Sequence, residues 1–289
     1  MKIKGVFVPL VTPFKNDKVD FVSYHKMIDY YISKGVNGLM PLGTTGESPT
    51  VSEYEAEAIM EKTMEYNNNR VPIYIGIGGN NTNKVISQLK LAEKNKVTGI
   101  LSVCPYYNRP DQRGIFEHFL KISEATDLDI IIYNIPYRTG RNIENDTIFK
   151  LAEIKNIVAI KDSCNDLKQT TDLLLSPPKN FSILTGDDSL FYTNLILGGD
   201  GGILASAHLR TEEFIDVFNA VANNNHLLAL EKWRKLYEFI PLLFEEPNPA
   251  PIKYCLNKLS IIDSPELRLP LTDITSQLKE KLNIILFNN

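Results

Sequence analysis

Lys161 closes an apolar run: four of the five residues before it, Ile157, Val158, Ala159 and Ile160, are apolar or small. A lysine that only solvates a surface needs no such setting, but a reactive amine benefits from one. Removal from water disfavours the ammonium and lowers its pKa. An efficient Schiff-base lysine needs a pKa nearer neutrality, a drop on the order of 3 units from about 10.4, or roughly 4 kcal/mol against the charged form. Apolar neighbours such as Ile160 and Ile203 are suited to impose that cost. The bland alternative is a strand-end lysine that snorkels to solvent or pairs with Asp162 or Asp166.

Three further segments carry chemistry. In "YNIPYRTG" (133–140) Tyr133 lies inside a buried run, where its hydroxyl needs a partner, and on a strand beside Lys161 its phenol could relay protons. It could equally be an ordinary core tyrosine. Arg138 follows a proline-containing loop, where a planar guanidinium holds a carboxylate or, more simply, makes a surface ion pair. "GTTGES" (43–48) is a glycine-bracketed loop whose N–H groups, with the Thr44 and Thr45 hydroxyls, suit an anion such as a carboxylate. Read blandly it is a tight turn, with Ser48 or Thr50 capping a helix that begins near Ser52. "PYYN" (105–108), with Tyr106 and Tyr107, reads as reactive or as an aromatic subunit contact. The Gly186–Asp187–Asp188 turn completes the set.

These residues need strands to present them. Eight short apolar runs recur, starting at Gly5, Val36, Val71, Val97, Leu128, Ile157, Phe181 and Gly201. Most are continuously apolar, as parallel strands buried on both faces are. Helical spacing fills the intervals, at residues 20–34, 52–66, 84–94 and 114–125. Eight strands alternating with helices predict an α/β fold, a (β/α)8 TIM barrel over residues 1–223, with the reactive groups at the C-terminal strand ends. Residues 224–289 read as a C-terminal helical extension packed on the barrel. A doubly wound sheet is the competing fold; no GxGxxG follows the first strand.

The 289 residues carry a formal net charge of −4, which disfavours a broad nucleic-acid face. The apolar N-terminal stretch is too short to span a bilayer and Pro9 and Pro13 interrupt it, so the expectation is a cytoplasmic protein without a membrane association. Cys104, Cys164 and Cys255 are scattered and odd in number, as reduced thiols are. The four histidines lack metal-ligand spacing, and no metal is expected.

Together "VTPF" (11–14), "GTTGES", "PYYNRP" (105–110), "YNIPYRTG", "IKDS" (160–163), "TGDD" (185–188), "EPNPAP" (246–251) and "LRLP" (267–270) resemble the pyruvate-dependent class I aldolases, in their dihydrodipicolinate synthase branch. The resemblance runs along essentially the whole chain. It implies condensation of pyruvate with L-aspartate 4-semialdehyde, on the route to lysine and diaminopimelate, through a covalent pyruvate imine on Lys161 and without another cofactor. It matches Tyr133, Thr44 and Tyr107 to the proton relay, with Tyr107 donated by a neighbouring subunit of a tight dimer, usually within a homotetramer. Thr45 matches the pyruvate carboxylate contact, Arg138 the semialdehyde carboxylate contact, and Gly186 and Ile203 the pocket lining.

Departures from the branch bear on substrate choice rather than on the imine. Tyr137 replaces a small residue, "IKDSCND" leans towards the sugar-acid aldolases, and Leu204 and His208 replace smaller polar groups. A related lyase acting on N-acetylneuraminate or a 2-keto-3-deoxy acid is therefore the rival reading. A catalytically silent barrel that binds a 2-oxo acid is the other. Glu53 and Ala56 stand where lysine-inhibited relatives carry histidines, and Lys84 where they carry a glutamate, so weak or absent feedback by lysine is expected.

Overall fold

The computed structural model describes residues 3–287; residues 1–2 and 288–289, the outer ends of the expected barrel and extension, lie outside the described residues. Each of the eight apolar runs contains a strand: β1 (Gly5–Val8), β2 (Gly38–Leu39), β3 (Tyr74–Gly76), β4 (Gly99–Val103), β5 (Asp129–Asn134), β6 (Ile157–Asp162), β7 (Ser182–Thr185) and β8 (Gly201–Ile203). They form one sheet in the order β2-β1-β8-β7-β6-β5-β4-β3, with parallel pairing along the ladder. The Leu39 N–H of β2 donates to the Pro72 carbonyl, just ahead of β3, at 3.1 Å. This is the strand order of a (β/α)8 barrel, and the doubly wound alternative is discarded.

The strands are shorter than the apolar runs, for a local reason. Pro9 follows β1 directly and has no N–H to extend the ladder. Phe14, the last residue of the first apolar run, and Lys15 instead pair antiparallel with Lys18–Val19. Asn16 and Asp17 make the turn between them with φ of 55° and 57°, the left-handed conformation that a two-residue hairpin needs. Gly201 has φ +146°, and a Cβ there would run into the Gly5 backbone, so the two glycines let main chains touch.

Helices fall where the spacing predicts. They cover Phe21–Ser33, Glu53–Asn67, Thr82–Lys94 and Gln112–Glu124, capped in turn by the side chains of Asp20, Ser52, Asn81 and Asp111. Ser52 forms a capping box with Glu55, so it is the cap, and Ser48–Thr50 makes a separate 3-10 turn. Past residue 224 come helices His226–Tyr237, Ala250–Lys258 and Ser276–Phe287. No helix among the described residues is long and apolar enough to cross a membrane.

The chain forms two compact units. One joins the chain up to Gly5 with Ile73–Ile203; the other joins Val6–Pro72 with Leu204 onward. The first holds β3 to β8, hence Lys161, Tyr133, Arg138, Tyr107, Gly186 and Ile203. The second holds Thr44 and Thr45.

Candidate active site

Tyr133 of β5 and Lys161 of β6 are register partners, so their side chains leave the sheet side by side. The Lys161 nitrogen lies 4.3 Å from the centre of the Tyr133 ring. Lys161 is only 7% exposed, and burial lowers its pKa to about 8, with the positive charge of Arg138 adding to the effect and the negative charge of Asp188 opposing it. A substantial neutral fraction near physiological pH follows. Burial likewise raises the Tyr133 phenol, while the nearby Ser163 hydroxyl opposes the rise.

Neither acid expected as a bland partner engages Lys161. Asp162 points to the opposite face, where it accepts from the Thr170 hydroxyl at 2.7 Å, the Asn134 amide at 3.3 Å and the Cys164 N–H at 3.1 Å. Asp166 caps the helix Leu167–Leu175. Gly186, whose N–H donates to the Asp162 carbonyl at 2.7 Å, packs against the lysine. A Cβ there would collide with the Lys161 chain at Cε and Cγ and with Ser163 Oγ. Ile203 is fully buried at the end of β8.

Arg138 sits in a single helical turn, Pro136–Thr139, directly after β5. Its Nε donates to the Tyr137 hydroxyl at 3.1 Å and its guanidinium lies 5.3 Å from the centre of that ring. Tyr137 is exposed and braces the arginine. Among the described residues Arg138 has no carboxylate partner, so the surface ion pair is not made. Tyr107 is 89% exposed, with φ +69°, and the chain does not bring it to Lys161. Sequence reading missed the fastening of its loop: Arg109 Nε donates to the Gly140 carbonyl at 2.8 Å, and Arg141 donates back to the Arg109 carbonyl at 2.9 Å.

In the other unit the loop 43–48 closes on itself through Gly46 N–H and Glu47 N–H, which donate to the Gly43 and Thr44 carbonyls at 3.1 Å each. The backbone N–H groups of Thr44 and Thr45 donate to nothing among the described residues, so the tight turn and the anion cradle are compatible. The loop is held from beneath. Glu47, in the left-handed conformation at φ +54°, makes a fully buried ion pair with Lys253 at 2.5 Å. Lys253 also donates to the Glu266 carbonyl at 2.8 Å, and Arg268 N–H to Glu47 at 3.2 Å. Asn248 donates to the Thr45 hydroxyl at 3.0 Å. Lys253 and Asn248 were missed as supports; the signal for Lys253 was a lysine amid the apolar residues of "APIKYCL". Burial holds Lys253 down at about 8 against the pull of Glu47.

His208, one of the departures from the branch, is a structural pin. Its Nε2 accepts from the Val11 N–H at 3.2 Å, Nδ1 bonds the Ala205 carbonyl at 2.8 Å, and burial lowers its pKa to about 4, so the ring is neutral. All three cysteines are free and buried. No cluster of His, Cys, Asp and Glu able to hold a metal occurs among the described residues.

Comparison with known proteins agrees with this geometry. The model of the dihydrodipicolinate synthetase family matches residues 2–288. The chain is 62% identical to 4-hydroxy-tetrahydrodipicolinate synthase 2 of Clostridium acetobutylicum, over 98% of this chain and 99% of that one. It is 38% identical to the 4-hydroxy-tetrahydrodipicolinate synthase of Thermotoga maritima, over 98% and 97% of the two chains. The crystal structure of dihydrodipicolinate synthase from T. maritima superposes with a TM-score of 0.96 at 37% identity, covering 100% of this chain and 99% of that one. The chain belongs to the dihydrodipicolinate synthetase family.

Proposed function

We propose that this chain is a lyase that condenses pyruvate with L-aspartate 4-semialdehyde to 4-hydroxy-tetrahydrodipicolinate, a step of lysine and diaminopimelate biosynthesis. The observation that carries the reading is Lys161: a buried amine that neither Asp162 nor Asp166 engages, stacked on a buried phenol. The full-length likeness at 62% identity to a synthase supports the substrate pair.

In this reading the neutral Lys161 amine attacks the pyruvate ketone and the carbinolamine collapses to an imine, which tautomerises to an enamine. The enamine carbon adds to the aldehyde, and cyclisation through the substrate's amine frees Lys161. Tyr133, Thr44 and Tyr107 relay the protons. Thr45, beside the unsatisfied N–H groups of its loop, receives the pyruvate carboxylate, and Arg138 receives the carboxylate of the semialdehyde. Gly186 and Ile203 line the pocket. The covalent imine is itself the electron sink, so no separate cofactor is called for.

The exposure of Tyr107 supports an assembled enzyme, a tight dimer in which each chain lends this residue to its partner, within a cytoplasmic homotetramer. Borohydride reduction with pyruvate, followed by peptide mass mapping, tests the chemistry: a pyruvyl mass on the Lys161 peptide is expected, and a label elsewhere overturns it. Turnover with aspartate semialdehyde, but not with N-acetylmannosamine or a 2-keto-3-deoxy acid, tests the substrate.

A further inference from the structure

Ser163 follows β6 by one residue and lies two positions beyond Lys161, on the same face of the extended chain. Its N–H donates to the Asn134 carbonyl at 2.8 Å and continues the ladder to β5, so its backbone is fixed. Ser163 is 5% exposed, yet its Oγ makes no hydrogen bond among the described residues, though it lies near the Tyr133 phenol. A buried hydroxyl without a partner is costly, and buried hydroxyls seldom go unsatisfied.

Gly186 shows what that hydroxyl faces. The point where a Gly186 Cβ would stand is crowded at once by Ser163 Oγ and by Cε of Lys161. The serine hydroxyl and the end of the lysine chain therefore pack side by side against the Gly186 backbone, within reach of the same reacting group. Ser163 also stands close enough to the Tyr133 phenol to favour its ionised form.

We propose that Ser163 contacts the substrate: its hydroxyl donates a hydrogen bond to the oxygen of the former keto carbon of pyruvate, and holds that oxygen as it leaves. The proposal rests on the imine reading above. The Lys161 amine adds to the ketone; nitrogen gives up one proton and oxygen gains one, forming the carbinolamine. The carbon–oxygen bond then breaks as the nitrogen lone pair forms the C=N bond. The departing hydroxyl takes the Tyr133 phenol proton and leaves as water, and the phenolate balances the iminium charge. Ser163 neither gains nor loses a proton, and its hydrogen bond is available to both the leaving oxygen and the phenolate.

The test isolates the half-reaction. Native protein, Ser163→Ala and Ser163→Thr are mixed with pyruvate alone, quenched with borohydride at timed intervals, and the adduct on the Lys161 peptide is quantified. Ser163→Ala is expected to form the imine roughly tenfold more slowly, the loss of about one hydrogen bond to a developing charge. Ser163→Thr, which keeps the hydroxyl, is expected to stay within about threefold of native. In a Tyr133→Phe background the same serine change should cost less, because both groups serve one oxygen. Imine formation at the native rate in Ser163→Ala overturns the proposal. So does a threonine variant as slow as the alanine one, or a loss seen only once the aldehyde is added. Absence of any adduct in the native protein is a different result: it overturns the imine reading itself, and this assignment with it.

Discussion

Lys161 and Tyr133 hold each other in place across the β5–β6 ladder, as register partners with the amine nitrogen 4.3 Å from the ring centre. The ring face favours the ammonium, yet burial outweighs it and leaves the lysine at about 8.

That balance makes stability depend on pH. The folded pKa lies below the ordinary 10.5, so between about pH 8 and 10.5 the unfolded chain binds more protons than the folded one, and stability rises with pH across that window. The cost of burying the charge is complete below pH 8. Lys161→Met is therefore expected to abolish turnover while stabilising the fold at pH 7, by up to about 3 kcal/mol. The gain should fade towards pH 10.5, as urea unfolding at pH 7 and pH 10 would show. Equal stability of the two proteins at pH 7 would count against a desolvated amine. In the native enzyme, imine formation should accelerate as pH rises through about 8.

Gly186 separates catalysis from folding. A methyl group there meets Ser163 Oγ as well as Lys161 at Cε and Cγ, and both buried side chains must shift to admit it, an overpacking cost of about 1–3 kcal/mol. Gly186→Ala should lower borohydride trapping at Lys161 by about 100-fold, the consequence of misplacing a nucleophile by an ångström or so. Its thermal melting should shift by only a few degrees. Near-native trapping would show that the lysine reaches pyruvate by another route.

The ion pair beneath the threonine loop gives a contrasting expectation. Lys253→Met leaves the Glu47 carboxylate buried without its counter-charge, and breaking such a pair costs about 3–5 kcal/mol. Glu47→Gln on the same background removes the orphaned charge and should recover part of the loss. Denaturant titration of the single and double variants measures both. A double variant no more stable than Lys253→Met would mean that charge burial is not the dominant cost.

Arg138 carries the expectation for substrate choice. Arg138→Leu should raise KM for the semialdehyde tenfold or more, since a charge-assisted hydrogen bond is worth about 1.5–3 kcal/mol. KM for pyruvate should barely move. Tyr137→Phe, which removes only the hydroxyl that Arg138 Nε engages, should raise the same KM by a smaller factor. Steady-state kinetics with each substrate varied separately decides this, and a matched rise in both KM values would detach Arg138 from the semialdehyde.

Much of this protein could be read along the chain because its signals are local. The run Ile157–Ile160 announces a buried strand and Lys161 interrupts it, and the eight-fold recurrence of such runs predicts the strand order. Strand ends were less legible, because Pro9 halts β1 through a missing donor while the apolar pattern continues to Phe14. Lys253 and His208 were not legible in their true roles. A lysine in "APIKYCL" becomes a support for the threonine loop only when Glu47, some two hundred residues earlier, lies against it.

Sequence by itself determined the periodicities, and with them the strands, helices and caps, because each depends on neighbours a few residues apart. It also placed the reactive amine and its phenol on adjacent strands. Tertiary structure alone decided the electrostatics: that Asp162 faces away from Lys161, that Arg138 leans on Tyr137 and meets no acid among the described residues, and that the buried Ser163 hydroxyl has no hydrogen-bond partner among them. Charge and burial depend on distances between residues far apart in the chain, and those distances exist only once the sheet has formed.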